Sequence, residues 1–409
     1  MKTQDAVCRS IETVPHEGVR FEIPAPVFRT AALSLLAGIV GAAGWSGVSA
    51  FAFLPLLYPF VYMHSLRRSD TISAVAYYAA ATWCVVPACR QFFHLSSVSS
   101  FPLVVWLILI AVNSFPWVAL FHSQYVSASA IASMLLLTVP PFGLFGVAHP
   151  LISVGAWFPG TRWIGLLFPL IMVSLHRKLH RMTTAVVLLT AIIMTHLLFQ
   201  PAVRDSRVLA LDTNLGGPEG GDPYGAVPES QEHNLQEIAL SHPNSLILLP
   251  ESVIPAWSRA HEQVWRGTFS QLAKQHTAIL IGTTLPIPNT QGNQNVLLSR
   301  GYSEHLSYVQ RVPAPLGMWD LGKVRAGFPL MLSYPPTIRV WNRRAGVLIC
   351  YEQLLIWTAL QSLARDPDLL FGPSNLYWAA GTRVPAIEHE CLQNWANLWN
   401  IPYYEARNK

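Results

Sequence analysis

Charge is scarce in this chain. Of its 409 residues only 12% are Asp, Glu, Lys or Arg, about half the share of an ordinary soluble domain. The deficit falls in the first half, which excludes a plain soluble globule and points to a membrane segment ahead of a more ordinary domain. Cysteine is scarce as well. Cys8, Cys84, Cys89, Cys350 and Cys391 show neither metal-ligand spacing nor a disulfide framework, so no metal and no cofactor is expected. Cys84 and Cys89 lie in an apolar stretch where packing is their expected role. The net charge of +5 comes from scattered or juxtamembrane basic residues without a basic helix, so nucleic-acid binding is not expected. Residues 1–26 lack the apolar core and small-residue site of a cleaved signal peptide. Internal repeats and low-complexity tracts are missing too.

What is present instead is long apolar sequence, 52% of the chain. Apolar segments lie at about 27–45, 48–64, 71–90, 101–121, 126–147, 161–175 and 183–200. Several reach the roughly 20 residues that cross a bilayer. The sixth is short and the fifth contains Pro140-Pro141, which predicts a kink or a re-entrant turn there. Seven spans are expected, with six as the fallback. Loop charge orients them. Lys2, Arg9, Arg20 and Arg29 precede or open the first span, Arg67 and Arg68 follow the second, and Arg177, Lys178 and Arg181 follow the sixth. Seven spans put all three groups on one side. The expected arrangement is a cytoplasmic tail (1–26), a transmembrane domain (27–200) in a bacterial inner membrane, and a periplasmic domain (207–409).

From residue 207 the periodicity changes. Short apolar runs at 208–211, 246–249, 278–281, 296–298, 347–349 and 369–371 alternate with helical patterns through 234–239 and near 259–275, 353–364 and 383–398. Apolar strands that end in polar residues, alternating with helices, predict an α/β domain with buried sheets. Leu246-Ile247-Leu248-Leu249-Pro250 delivers Glu251, and Val347-Leu348-Ile349 delivers Cys350, Tyr351 and Glu352. Open α/β folds expose reactive groups at such strand ends. A carboxylate and a thiol at two of them suggest a base and a nucleophile for acyl transfer. The tetrahedral intermediate would then need a donor or cation for its oxyanion.

Three stretches, LLPESVIPAW (248–257), GVLICYEQ (346–353) and GPSNLYW (372–378), resemble motifs of the carbon–nitrogen hydrolase (nitrilase) superfamily. That superfamily uses a Glu-Lys-Cys triad on an αββα sandwich. Apolar spans ahead of such a domain are similar to the apolipoprotein N-acyltransferase branch, whose members combine Glu-Ser/Thr-x-Ile-Pro with Cys-Tyr-Glu. The resemblance covers 207–409 by motif and 27–200 by topology alone. It implies Glu251 as general base, Cys350 as the thioester-forming nucleophile, Glu352 as a residue that orients the site, and Tyr351, Asn375, Gln310 and Trp319 about the substrate. It further implies an inner-membrane phospholipid as acyl donor and a lipoprotein or pilin-like peptide as acceptor.

Departures from the pattern are as informative. The branch places its lysine four residues before Val-Pro-Phe-Gly-Glu. Here the stretch reads Tyr308-Val309-Gln310-Arg311-Val312-Pro313-Ala314-Pro315-Leu316-Gly317-Met318-Trp319. Aligned on Gly317, the lysine position holds Gln310 and the glutamate position holds Met318. Two roles are open to Arg311: a surface or headgroup-facing arginine, or a fixed cation serving the oxyanion and the thiolate. It cannot donate a proton at ordinary pH. Lys323 is the other lysine nearby and is not expected to serve. The sequence stops at Lys409, where the acyltransferases continue into a last strand and a final helix, so one wall of the site is expected to be missing. These departures resemble a narrower group, the conjugal transfer proteins of plasmids. Two readings follow: an acyltransferase or amidase with an altered triad, and a non-catalytic membrane assembly factor of a conjugation apparatus. A plain soluble amidase would have no use for seven spans. The loop 313–335, with Trp319, Phe328, Leu330, Met331 and Leu332, reads either as an apolar lid toward lipid or as a packed loop. Cys391 and His389 are expected to be structural.

Overall fold

Ala25–Gly44 forms a 20-residue helix because nothing in its apolar run breaks the backbone ladder. The computed structural model describes residues 25–179, 181–215, 229–290, 292–303, 307–319 and 327–409. Cys8, Lys323 and the tail 1–24 lie outside the described residues. Among those described, Ala25–Gly44 and Phe101–Ala119 are long and apolar enough to cross a membrane. The other apolar segments are helical but interrupted. Arg68–Ala81 and Val85–Phe92 meet at 44°, and Pro150–Trp157 and Arg162–Leu175 at 117°. Counting each bent pair as one span gives four. The remaining apolar helices, Ser49–Tyr62, Val126–Thr138 and Met182–Leu198, are shorter. Proline accounts for part of this difference from seven uninterrupted segments: Val126–Thr138 stops just before Pro140-Pro141, since proline lacks the N–H a continuing helix needs.

Aromatic residues hold this helical part together. Tyr58, Tyr62, Tyr77, Tyr78 and Trp117 are fully buried, with Tyr58 stacked on Tyr77 at 4.3 Å between ring centres. A buried aromatic hydroxyl or indole N–H requires a partner. Trp45 donates to the Tyr77 hydroxyl, Trp117 to that of Tyr78, and the Tyr62 hydroxyl to the Trp117 carbonyl. Asp70, also buried, accepts from Arg29, Thr30 and the backbone N–H of Leu66 and Arg67, tying the first helix to the 68–71 turn. The outward faces remain apolar: Leu35, Ile39, Leu107 and Ile108 are all exposed.

The second half contains two sheets. The first has β1 (Val208–Ala210), β2 (Leu246–Leu248), β3 (Ala278–Pro286), β4 (Asn293–Gly301) and β5 (Ser307–Val309), in that order. The second has β6 (Thr337–Val340), β7 (Arg343–Val347), β8 (Leu369–Asn375) and β9 (Tyr403–Asn408). Both mix parallel and antiparallel pairs. Leu246 and Leu248 face the second sheet, packing with Val347, Phe371 and Ala406. Ile247 and Leu249 face the helices Glu229–Leu240 and Arg259–Lys274, packing with Leu235 and Trp265. Burial on both faces explains why β2 reads as an unbroken apolar run instead of an alternation. Helices Ile356–Leu363 and Val384–Trp399 cover the other face of the second sheet, against Leu348 and Leu370. The order of layers is α-β-β-α. The last residues form a strand, β9, paired in parallel with β8, an element beyond the runs expected from sequence. Its alternating burial, from Tyr404 to Asn408, is the period-2 signal of a strand with one face covered.

Val384–Trp399 also joins the two halves, because its other side packs on Leu151, Ile152, Val154 and Trp157. Gly155 permits that approach: a Cβ there would lie 1.8 Å from the Asn394 carbonyl oxygen. Gly155→Ala is therefore expected to force the halves apart and to lower stability by about 1–3 kcal/mol, read as a lower apparent melting temperature in detergent. An unchanged melting temperature would mean that the joint yields freely.

Candidate active site

Glu251 lies just beyond β2, where the chain turns sharply through Ser252 at φ +50°. One oxygen of its buried carboxyl accepts from Asn295 Nδ2 at 2.6 Å, the other from the Asn375 backbone N–H at 3.0 Å. Gly282 of β3 makes room, since a Cβ there would lie 2.0 Å from the Pro250 oxygen and 2.6 Å from Glu251 Cα. Burial disfavours the charged form and pushes the Glu251 carboxyl up to about 7.

Cys350 opens a tight 3-10 turn, Cys350–Leu354, directly after the β7 run. Its φ is +48°, a conformation that costs a non-glycine residue on the order of 1 kcal/mol or more. Glu352 maintains the turn. Its carboxylate accepts from the Ile349 N–H (2.9 Å), the Tyr308 hydroxyl (2.9 Å) and the N–H groups of Arg311 (2.8 Å) and Val312 (3.3 Å). Glu352 thus holds the turn that carries Cys350.

Two carboxyl groups meet the sulfur. The thiol donates to Glu388 Oε1, with Sγ 3.7 Å away, and the Glu251 carboxyl is near enough to act on it electrostatically. Burial and these two acids push the thiol well above its usual range, so the resting group is SH and needs a base. Glu388 was not among the residues singled out from sequence. It sits within the helix Val384–Trp399, outside every motif. A signal exists in hindsight: Glu388, Cys391, Leu392 and Trp395 share the i, i+3, i+4, i+7 stripe that marks a buried helix face. A carboxylate on such a stripe is out of place unless it has a task or a partner. Asn295, the partner of Glu251, escaped notice because it ends a polar run, Asn293-Gln294-Asn295, at the start of β4, outside every motif.

The remaining expected residues divide into groups. Gln310, at the lysine position, is buried between the two strand ends: its oxygen accepts from Asn295 Nδ2 (2.9 Å) and its nitrogen donates to the Ile349 carbonyl (3.1 Å). Asn375 meets Glu251 through its backbone, while its side-chain oxygen accepts from Asn408. The Tyr351 hydroxyl donates to the Leu144 carbonyl (3.0 Å), so that residue anchors the turn to the helical half. Arg311 departs from both roles expected of it, being neither exposed nor turned toward the thiol. Its guanidinium is fully buried, 3.4 Å from Glu352, and donates to Tyr308, Gln361, Ser362 and the carbonyls of Val347 and Thr358. Its N–H groups are spent there. Cys391 is packed in the core and His389 pairs with Glu405 at 2.7 Å, both structural.

A cavity of about 380 Å³ lies between the helical half and the sandwich. Its wall is almost wholly apolar and includes Phe92, Ile108, Phe145, Trp319 and Trp378, as well as Cys84 and Cys89. Trp319 rests on Phe145 at 5.3 Å and donates to the Pro313 carbonyl, so this end of the 313–335 loop is packed against the helical half. Residues 320–326 lie outside the described residues. Glu388 is the one carboxyl group among the described residues of the wall, and it also contacts the Cys350 sulfur.

No family model matches the chain. Two curated proteins match along almost their whole lengths. The conjugal transfer protein TraB of Agrobacterium fabrum (strain C58) is 27% identical, covering 93% of this chain and 93% of its own. The probable conjugal transfer protein TraB of Sinorhizobium fredii is 28% identical, covering 90% of this chain and 96% of its own. The chain is a homologue of the TraB conjugal transfer proteins. Among solved structures, an amidase from Nesterenkonia sp. is 19% identical over 50% of this chain and 78% of that one, with a TM-score of 0.32. A mutant of the Nesterenkonia AN1 amidase, from the nitrilase superfamily, is 17% identical over 48% and 76%, with a TM-score of 0.33. Alignment with the TraB proteins runs through the helical half as well as the sandwich, so the two halves travel together in these homologues.

Proposed function

We propose that this chain is a bacterial inner-membrane acyl-transfer enzyme that works through a Cys350 thioester and serves conjugal plasmid transfer. The observation that carries this reading is that buried Cys350 contacts the buried carboxyl of Glu388, which itself lines an apolar cavity, with the buried Glu251 carboxyl acting on the same thiol. In the proposed reaction the Glu251 carboxylate takes the thiol proton as Sγ attacks the carbonyl carbon of an acyl ester. The carbonyl oxygen becomes an oxyanion, the ester C–O bond breaks, and Glu251 returns the proton to the departing alcohol. An amine then attacks the thioester and gives up a proton through Glu251 to the leaving sulfur, forming an amide.

The cavity suits a lipid acyl chain. The exposed apolar faces of Ala25–Gly44 and Phe101–Ala119 support a phospholipid donor, with the sandwich on the periplasmic side and a lipoprotein or pilin-like peptide as acceptor. One observation favours the rival reading, a non-catalytic assembly factor of the conjugation apparatus. Gln310 stands where a lysine would, and Arg311 is spent on Glu352, so neither residue brings a positive charge to the thiol.

Intact-mass spectrometry of the detergent-purified protein after incubation with phospholipid separates the two. The wild type is expected to gain a hydroxylamine-labile, acyl-sized mass that Cys350→Ala does not gain. No adduct on the wild type, with Cys350→Ala still supporting plasmid transfer, would establish the assembly factor instead.

A further inference from the structure

An acyl-transfer site needs a donor for the oxyanion, and neither Gln310 nor Arg311 is placed to provide a cation. Glu388 occupies the gap. It is buried in the helix Val384–Trp399, lines the inner end of the apolar cavity, and puts Oε1 3.7 Å from the Cys350 sulfur. A chain of hydrogen bonds fixes which of its oxygens can carry a proton. Gln353 Nε2 donates to Ser374 Oγ at 2.7 Å, so the Ser374 hydroxyl points its own hydrogen onward, to Glu388 Oε2 at 2.8 Å. Oε2 is therefore taken up by the Ser374 hydroxyl, while Oε1 accepts from the resting thiol; once the thiol proton has passed to Glu251, Oε1 is the oxygen left to carry the Glu388 hydrogen. Gly372 permits this packing, since a Cβ there would lie 2.5 Å from Leu392 Cδ2 and 3.1 Å from Gln353 Oε1.

The charge state follows from the company. Cys350, Glu251 and Glu405 act on Glu388 along with the Ser374 hydroxyl, and none of these is a cation. Glu251 and Glu388 flank one buried sulfur, and two ionised carboxylates there would repel each other without compensation, so one is held in the acid form. Burial raises both, and the hydrogen bonds decide between them: Glu251 accepts from two N–H donors, Asn295 Nδ2 and the Asn375 backbone, which favour its ionised form, whereas beside the thiol Glu388 accepts from the Ser374 hydroxyl alone, which leaves Glu388 the acid and Glu251 the base.

We propose that Glu388 is a second catalytic carboxyl group, whose Oε1–H donates to the oxyanion of the tetrahedral intermediate in place of a lysine cation. This rests on the acyl-transfer reading above. Glu388 neither gains nor loses a proton over the cycle; Glu251 carries the proton between sulfur and leaving group. Substrates of the class expected are acyl esters whose chain fills the apolar cavity and whose carbonyl stops beside Glu388.

The test compares the full-length wild type with Glu388→Gln and Glu388→Ala, in detergent with phosphatidylethanolamine, by the rate of acyl adduct formation and by alkylation of Cys350 with iodoacetamide. Glu388→Ala is expected to acylate about 10²–10³-fold more slowly, the loss typical of one oxyanion donor. It is also expected to alkylate faster at pH 8–9, because a carboxylate no longer faces the sulfur. Because a loosened fold would itself expose the buried thiol, the Glu388→Ala melting temperature is measured beside the two rates, and Glu388→Gln, of nearly the same volume, must not share the acylation loss. Glu388→Gln still presents an N–H to the oxyanion, so it should keep most of the acylation rate and lose the alkaline decline expected of the wild type near pH 8. Acylation by Glu388→Ala within a few-fold of wild type, or an alkaline decline retained in Glu388→Gln, overturns the assignment while the acyl-transfer reading stands. Absence of any adduct on the wild type overturns both.

Discussion

Glu251→Gln is expected to slow formation of the Cys350 acyl adduct by about 10²–10⁴-fold, the usual contribution of a positioned general base. The thiol is held protonated by burial and by its two acidic neighbours, so attack depends on an acceptor for its proton. In the wild type the rate should rise with pH through about 7 as Glu251 ionises. The variant should lose that acidic limb. Stability should move the other way. The folded carboxyl titrates at about 7 and an unfolded one near 4.3. Its contribution is therefore whole below the unfolded value and is lost as pH climbs to the folded one, by on the order of 3 kcal/mol. Glutamine has no such loss. The difference in apparent melting temperature, variant minus wild type, should therefore grow between pH 5 and pH 8. A difference that stays flat across this range would mean that Glu251 is already ionised at rest.

Arg311→Met is expected to damage the fold, at a cost of about 3–5 kcal/mol, as for the loss of one partner from a buried ion pair. Arg311 and Glu352 are both 0% exposed and lie 3.4 Å apart. Without the guanidinium, Glu352 keeps a charge that only Tyr308 and three backbone N–H groups would balance. The Cys350 turn hangs on that same carboxylate, so adduct formation should fall with the melting temperature. Adding Glu352→Gln to Arg311→Met should restore part of the stability, because it removes the orphaned charge. A variant that melts like wild type but forms no adduct would restore Arg311 to the role of catalytic cation.

The sequence by itself determined the order of apolar runs, the change of period after residue 207, and the two strand ends that present Glu251 and Cys350. These are local properties: burial on both faces writes itself as Leu246-Ile247-Leu248-Leu249, and a polar residue after such a run leaves the sheet. The departure at Gln310 was legible for the same reason, as one residue in a stretch that could be aligned. Only the tertiary structure decided what each residue meets. Arg311 adjoins the lysine position, yet its side chain is directed into Glu352 and Tyr308, because the chain has left β5 after Val309 and turns there. Glu388 comes from a helix 38 residues beyond Cys350, and only close packing, through glycines at 155 and 372, brings that helix to the sulfur. Apolar runs were legible as helices, but the bends between 81 and 85 and between 157 and 162 were not, since hydrophobicity records what a segment avoids and not the angle at which its neighbours hold it.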